Sequence, residues 1–320
     1  MPSRIDTLLL LALPASGKSE LRRYLASVDP ATALTDFGLG PTVQLDDYPY
    51  VHLMRRFSQE LRNLDATPVF FVSDDQPFLD GRDWATLIEL VNEDYAALGT
   101  EPAVPAQPTA WMLDRFDRAR RLAGIDPPFD DLPDEVLIAM AAVLDNEIAE
   151  MARERTATLA AFEPGVSTVL IEFARGGPDG LEPPLPEPHG YQFSLRYLSA
   201  HILRRASVLH VWVTPEESRR RNVERAVPGL EGDASILHHG VPESVMLGDY
   251  GVDDFPWMLK RGGGATIDVE VGDATYHLPA AVFDNRIDHT SFLRADHADW
   301  DAGKVDALHP ELVGAFANLH

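Results

Sequence analysis

The chain has 320 residues, 45% hydrophobic and 24% charged, which is a globular composition long enough for one large α/β domain. Its 27 Lys+Arg against 51 Asp+Glu give a formal net charge of -24, which argues against nucleic acid and anionic membranes as partners. The absence of cysteine removes disulfides, thiolate metal sites and a cysteine nucleophile together.

In chain order, the opening run from Thr7 to Leu13 imitates a secretory leader. It is short, Asp6 adjoins it, and no later stretch approaches the roughly 18 apolar residues of a membrane span. The chain therefore reads as soluble and cytoplasmic, with no membrane partner. Buried parallel strands are predicted at Thr7 to Leu13, Thr42 to Asp46, Ser167 to Phe173, Val208 to Val213 and Ala280 to Asp284, with a further candidate at Pro68 to Val72. Helices fit Lys18 to Ser27, Pro49 to Asn63, Asp83 to Leu98, Trp111 to Ala123, Asp134 to Phe162, Tyr191 to Ala206 and Pro215 to Val227. The longest carries an apolar stripe of Val136, Met140, Val143, Leu144, Ile148 and Met151. Proline clusters mark loops at Glu101 to Pro108 and Pro178 to Pro188. Ala265 to Val271 and Ala274 to Leu278, joined by Gly272-Asp273, read as a C-terminal β-hairpin.

The most informative stretch runs from the first strand through Leu13, Pro14, Ala15, Ser16, Gly17, Lys18, Ser19 and Glu20 into a helix. Strand, tight loop and helix in this order suit a phosphate cradle. Backbone N–H groups surround the phosphates, the lysine reaches the β and γ groups, and the hydroxyl binds Mg²⁺. Ala12 stands where the pattern G-x-x-x-x-G-K-[ST] has its first glycine, and alanine fits there only if φ stays negative. A chance Gly-Lys-Ser opening a helix is the alternative. The stretch resembles the P-loop kinase superfamily, which often writes this loop as Gly-Leu-Pro-x-Ser-Gly-Lys-Ser.

Two strand ends add acid. Asp46 and Asp47 close the second strand, where an open α/β sheet presents its ligand crevice, and paired acids there suit magnesium and proton abstraction. An Asx turn or helix cap ahead of Pro49 is the structural alternative. The Asp-Asp-Tyr run resembles the second-strand motif of the uridine kinase and phosphoribulokinase group, in which an aspartate orients or deprotonates the acceptor hydroxyl. Glu172 closes the third strand and resembles a Walker B carboxylate on Mg²⁺, unless it forms an ordinary ion pair, for instance with Arg175. Arg175, beside Gly176 and Gly177, is a candidate acceptor or phosphate contact. Ser73-Asp74-Asp75 reads as a capped turn.

After the fourth strand, Thr214 and Glu217 frame a capping box with Pro215 at the first helical position. Arg221 and Arg225, four apart, share a face of that helix, with Arg220 beside them. The kinase resemblance implies a lid whose arginines close on the transferring phosphoryl group; a solvated helix with ion pairs is the alternative. Pro228 to Asp233 would let the lid move, and Asn285 would lie near the nucleotide base.

The fold class expected is α/β, a three-layer P-loop NTPase fold with a five-stranded parallel core sheet. It forms one domain over 1–320, with a helical acceptor-binding insertion at 73–164 and a lid and following loop at 214–264. The implied function is an ATP-dependent transfer of the γ-phosphoryl group to a hydroxyl of a small molecule, with Mg²⁺ on Ser19, Asp46 and Glu172. Lys18, Asp46, Asp47, Arg221 and Arg225 would carry the chemistry. A nucleotide-driven ATPase switch, or a binding module with a degenerate loop, are the competing readings.

Overall fold

The structure, a computed structural model, describes residues 4–225 and 240–319. His238, His239, the Pro228 to Asp233 segment and the last two residues of the helix predicted after Pro215 lie outside the described residues.

Six strands form one mixed sheet: β1 (Thr7–Leu11), β2 (Thr42–Asp46), β3 (Thr168–Phe173), β4 (Ala206–Trp212), β5 (Thr266–Val271) and β6 (Ala274–Asp284). Their spatial order is β2-β3-β1-β4-β6-β5, with every neighbouring pair parallel except β5 against β6. The expected five parallel strands are thus present, but the sheet has six members. The hairpin is no separate unit, because the two runs flanking Pro279 form a single strand. Its first part pairs with β5 (Thr266 opposite Pro279) and its second part with β4 (Val208 opposite Ala280). Proline lacks the N–H that a ladder on both sides would require, and here it stands where one pairing hands over to the other.

β1 and β3 are buried along their whole length, as central parallel strands covered on both faces should be. Helices α1 (Lys18–Ser27), α2 (Pro30–Phe37) and α3 (Tyr48–Asn63) flank the first two strands. α2 was not anticipated, although Asp29 accepts the N–H groups of Ala31 and Thr32 and Gly38 closes the helix at φ 65°. Between β2 and β3 lie α4 (Asp83–Ala96), α5 (Pro108–Leu122) and α6 (Asp134–Ala160). α5 lies between the other two, and Phe57 of α3 meets Phe116 of α5 edge-on at 5.7 Å. On α6 the buried stripe is Met140, Leu144, Ile148, Ala152 and Leu159, whereas Val143 is 51% exposed.

Pro68 to Val72 is not a strand. Phe70 and Phe71 plug the core beside α5, and both of their N–H groups donate to Ser58 Oγ at 3.1 Å, so no ladder is needed to satisfy them. The helix expected from Tyr191 to Ala206 is two short ones, α7 (Gly190–Leu195) and α8 (Ala200–Leu203), because Ser199 caps a fresh start and Ala206 already belongs to β4. α9 (Pro215–Arg225) follows β4. Three further helices, α10 (Glu243–Asp249), α11 (Phe255–Arg261) and α12 (Ala302–Phe316), complete the chain; α12 runs through Pro310. No helix among the described residues is long and apolar enough to cross a membrane.

Candidate functional site

The chain crosses from one side of β1 to the other between β3 and β4, so the carboxyl end of β1 is the switch point where an open α/β sheet binds ligands. A cavity of about 470 Å³ opens there. The whole expected loop, Leu13 to Glu20, lines it together with Asp46, Asp47, Glu172, Arg175 and Arg225.

The loop owes its shape to two left-handed residues, Ala15 at φ 55° and Gly17 at φ 96°. Ala12 is buried and outside the left-handed region, so alanine meets no backbone strain at that position. Three contacts hold the turn: Ser16 Oγ donates to Leu13 O at 2.7 Å, Ser218 Oγ of α9 to Pro14 O at 2.6 Å, and Asn285 Nδ2 to Ser16 O at 2.7 Å. Asn285 is therefore a brace for the loop from the end of β6. Glu20, at the start of α1, accepts from Arg294 Nε at 2.6 Å and serves packing. The Lys18 ammonium has no carboxylate within 4.0 Å among the described residues, yet it is near enough to Asp46 to offset part of the repulsion there.

The two strand-end aspartates have different surroundings. Asp47 is buried and its Oδ2 accepts from Arg175 Nη1 at 2.7 Å. Arg175, 1% exposed, spends its other donors on Ser194 Oγ, Trp84 O and Ala174 O, with its plane 4.4 Å over the Trp84 ring. This pair ties β2, β3, α4 and α7 together. Asp46 instead accepts from the Tyr48 N–H at 2.8 Å and from Gln44 Nε2 at 3.3 Å, and no cationic side chain among the described residues is paired with it. Burial, then Glu172, then Asp47 push its carboxyl up to about 7.

Glu172 stands directly opposite Asp46 in the β2–β3 register. Its Oε2 accepts from Arg22 Nη1 at 3.0 Å and Gln44 Nε2 at 2.7 Å, so its ion pair is with Arg22 and not Arg175. Its Oε1 is buried without a hydrogen-bond partner among the described residues. A carboxylate oxygen without a partner, opposite Asp46 in a cavity that Ser19 also lines, suits a hard cation that brings water and phosphate oxygens of its own. Among the described residues no cluster of three or more His, Cys, Asp or Glu forms a self-sufficient metal cage.

Of the two lid arginines expected, only Arg225 lines the cavity. Its Nε is buried without an acceptor among the described residues, and burial lowers its pKa from the usual arginine value. Arg221 turns the other way: Nε donates to Glu217 at 2.6 Å and Nη2 to Asn285 O at 2.7 Å. Arg220 is exposed and bonded to Glu217 and Glu224. Thr214 does cap α9, accepting from Glu217 N at 3.2 Å, while the Glu217 carboxylate goes to the arginines and its pKa is lowered to about 2, chiefly by Arg220.

At the far end of the cavity the insertion contributes to the lining, but none of the individual residues there was singled out from the sequence. Arg55 and His52 from one face of α3, Phe71 just ahead of the insertion, Phe78 and Trp84 within it, and Asp249 and Tyr250 at the end of α10 all line it. These residues carry no motif; only their spacing on α3 (positions 48, 51, 52, 55, 56 and 59) marks a common face. Ser73 to Asp75 forms the capped turn expected, with Ser73 Oγ donating to Asp75 Oδ1 at 2.5 Å, and Asp74 reaches the cavity rim. The chain matches no protein-family model, and no curated protein or solved structure is significantly similar to it.

Proposed function

We propose that the protein is a phosphotransferase of the P-loop kinase type that moves the γ-phosphoryl group of ATP to a hydroxyl of a small molecule. One observation carries the reading. A loop with two left-handed residues, at the switch point of a parallel sheet, shares a cavity with two facing carboxylates, a lysine that has no carboxylate within 4.0 Å among the described residues, and Arg225, whose buried Nε has no acceptor among them.

Each group has a task. The N–H groups of the loop and Lys18 hold the β and γ phosphates. Ser19 and Glu172, whose Oε1 lacks a partner, hold the cation. Mg²⁺ supplies neutralisation of charge on the phosphate oxygens. Asp46 is the base and Asp47 is not, because Asp47 is committed to Arg175, whereas Asp46 is free of cations and has a proton affinity poised near neutrality. The acceptor hydroxyl gives its proton to Asp46, its oxygen bonds to the γ phosphorus, and the bond from that phosphorus to the β–γ bridging oxygen breaks, leaving ADP. Arg225 meets the charge spread over the transferring group.

The test incubates the protein with Mg²⁺ and γ-labelled ATP alongside a panel of nucleosides, sugars and amino-alcohols. Label should pass to an organic acceptor, and ATP affinity should fall at least tenfold in Lys18→Ala. Label appearing only as free phosphate would favour an ATPase switch. Equal ATP affinity in both proteins would overturn the nucleotide site altogether.

A further inference from the structure

Four arginines line the cavity, and they are not equivalent. Arg175 is spent on Asp47, Arg56 is paired with Glu60 and Glu147, and Arg225 lies at the phosphate end. Arg55 remains. Its plane is held 4.0 Å over the Phe71 ring and its Nη1 donates to Asp74 O at 2.7 Å, which fixes the guanidinium while leaving Nε and Nη2 without protein acceptors among the described residues. No carboxylate oxygen comes within 4.0 Å of it among those residues. Beyond that distance its charged neighbours are Asp74, Asp249 and Asp75, with the Tyr250 hydroxyl beside them; Asp74 is paired with Arg62, Asp75 accepts from Ser73, and burial pushes the Asp249 carboxyl up to about 7, so it answers the arginine with less than a full charge. An oriented, partly desolvated fork with a free edge is a receptor for a planar or tetrahedral oxyanion. Arg55 lies seven residues along α3 from Tyr48, on the order of 10 Å from the end of β2 where Asp46 sits.

We propose that the acceptor carries an oxyanion, a carboxylate or a phosphate monoester, at the end remote from its reacting hydroxyl, and that Arg55 selects for it. This rests on the phosphotransferase reading and adds the class of acceptor. The aromatic wall of Phe71, Phe78 and Trp84 then packs against the body of the molecule between its two polar ends.

The experiment loads the protein with a non-hydrolysable ATP analogue and Mg²⁺, so that the phosphate loop is filled. Matched pairs are then titrated by calorimetry: glycerate and glycerol, serine and its methyl ester, glucose 6-phosphate and glucose, a nucleoside 5′-monophosphate and its nucleoside. In at least one pair the anionic member should bind tenfold or more tightly. Arg55→Met should abolish that preference and Arg55→Lys restore part of it, with analogue affinity unchanged in both, which certifies the fold. Carboxylate and phosphate pairs separate the two oxyanions. Neutral members binding as well as anionic ones, no pair binding, or a preference that survives Arg55→Met would overturn the proposal. Failure of the analogue to bind, or equal binding to Lys18→Ala, would instead overturn the nucleotide site; the Arg55 preference is then read separately in unloaded Lys18→Ala protein.

Discussion

Replacing Gly17 with alanine tests the loop most directly. A Cβ at that position would stand 2.2 Å from Thr290 Oγ1 and 2.5 Å from Asn285 Nδ2. Neither neighbour is free to retreat: Asn285 Nδ2 donates to Ser16 O at 2.7 Å and to Thr290 Oγ1 at 2.8 Å, and its Oδ1 accepts the His289 N–H at 2.7 Å. Holding alanine at φ 96° costs about 1–3 kcal/mol. Displacing the Asn285 amide forfeits two buried hydrogen bonds at about 1 kcal/mol each. The sum, about 3–5 kcal/mol, is a large share of the roughly 5–15 kcal/mol that holds a domain folded. Urea unfolding followed by tryptophan fluorescence reads the loss, and calorimetry with the ATP analogue reads the damage to the cradle. Thr290→Ala removes the nearer contact, so the alanine substitution should cost about 1 kcal/mol less in that background. A loss below about 1 kcal/mol with native nucleotide affinity would refute the account of the loop.

Asp46→Asn should abolish phosphoryl transfer while sparing ATP affinity, whereas Asp47→Ala should cost about 3 kcal/mol in urea unfolding, because it strands the buried Arg175; the reverse pattern would exchange their roles. Arg225→Met should slow transfer at least tenfold at unchanged stability. Arg221→Met should lower stability by about 2 kcal/mol through its contacts with Glu217 and Asn285, both variants being followed by labelled transfer and by urea unfolding. Asp249, raised from 3.8 to about 7 by burial, holds its proton more tightly folded than unfolded, so its contribution is full below about pH 4 and is lost as the pH climbs through 7. Asp249→Asn should therefore stabilise the protein by about 2–4 kcal/mol at pH 8 and scarcely at pH 4; equal urea midpoint shifts at both pH values would contradict it.

The central strands were legible because they are short apolar runs, as in Leu8 to Leu13 and Val169 to Ile171, and the loop because Gly-Lys-Ser sits between such a run and an amphipathic helix. Phe70 and Phe71 misled for the same reason: an apolar run does not say whether a ladder or a side chain such as Ser58 satisfies its backbone. Pro279 misled oppositely, since it parts the two runs expected as separate strands, yet it sits inside β6. At the site, the strand-end acids were legible from position alone. The different fates of Asp46 and Asp47, or of Arg221 and Arg225, were not, because they depend on partners such as Arg175, Asn285 and Glu217 that the fold chooses. Arg55, Asp249 and Tyr250 come from elements with no spacing relation to the loop.

β6 joins two parts of the molecule that look unrelated, the edge hairpin and the brace on the loop, through one unbroken backbone. Lengthening the chain at Gly272-Asp273 would enlarge a surface turn and go unnoticed at the opposite end. One extra residue beside Pro279 would move Asn285 a full step and rotate its amide to the opposite face of the sheet, away from Ser16. The strand thus behaves as a ruler, and its tolerance for insertions should drop abruptly between those two points.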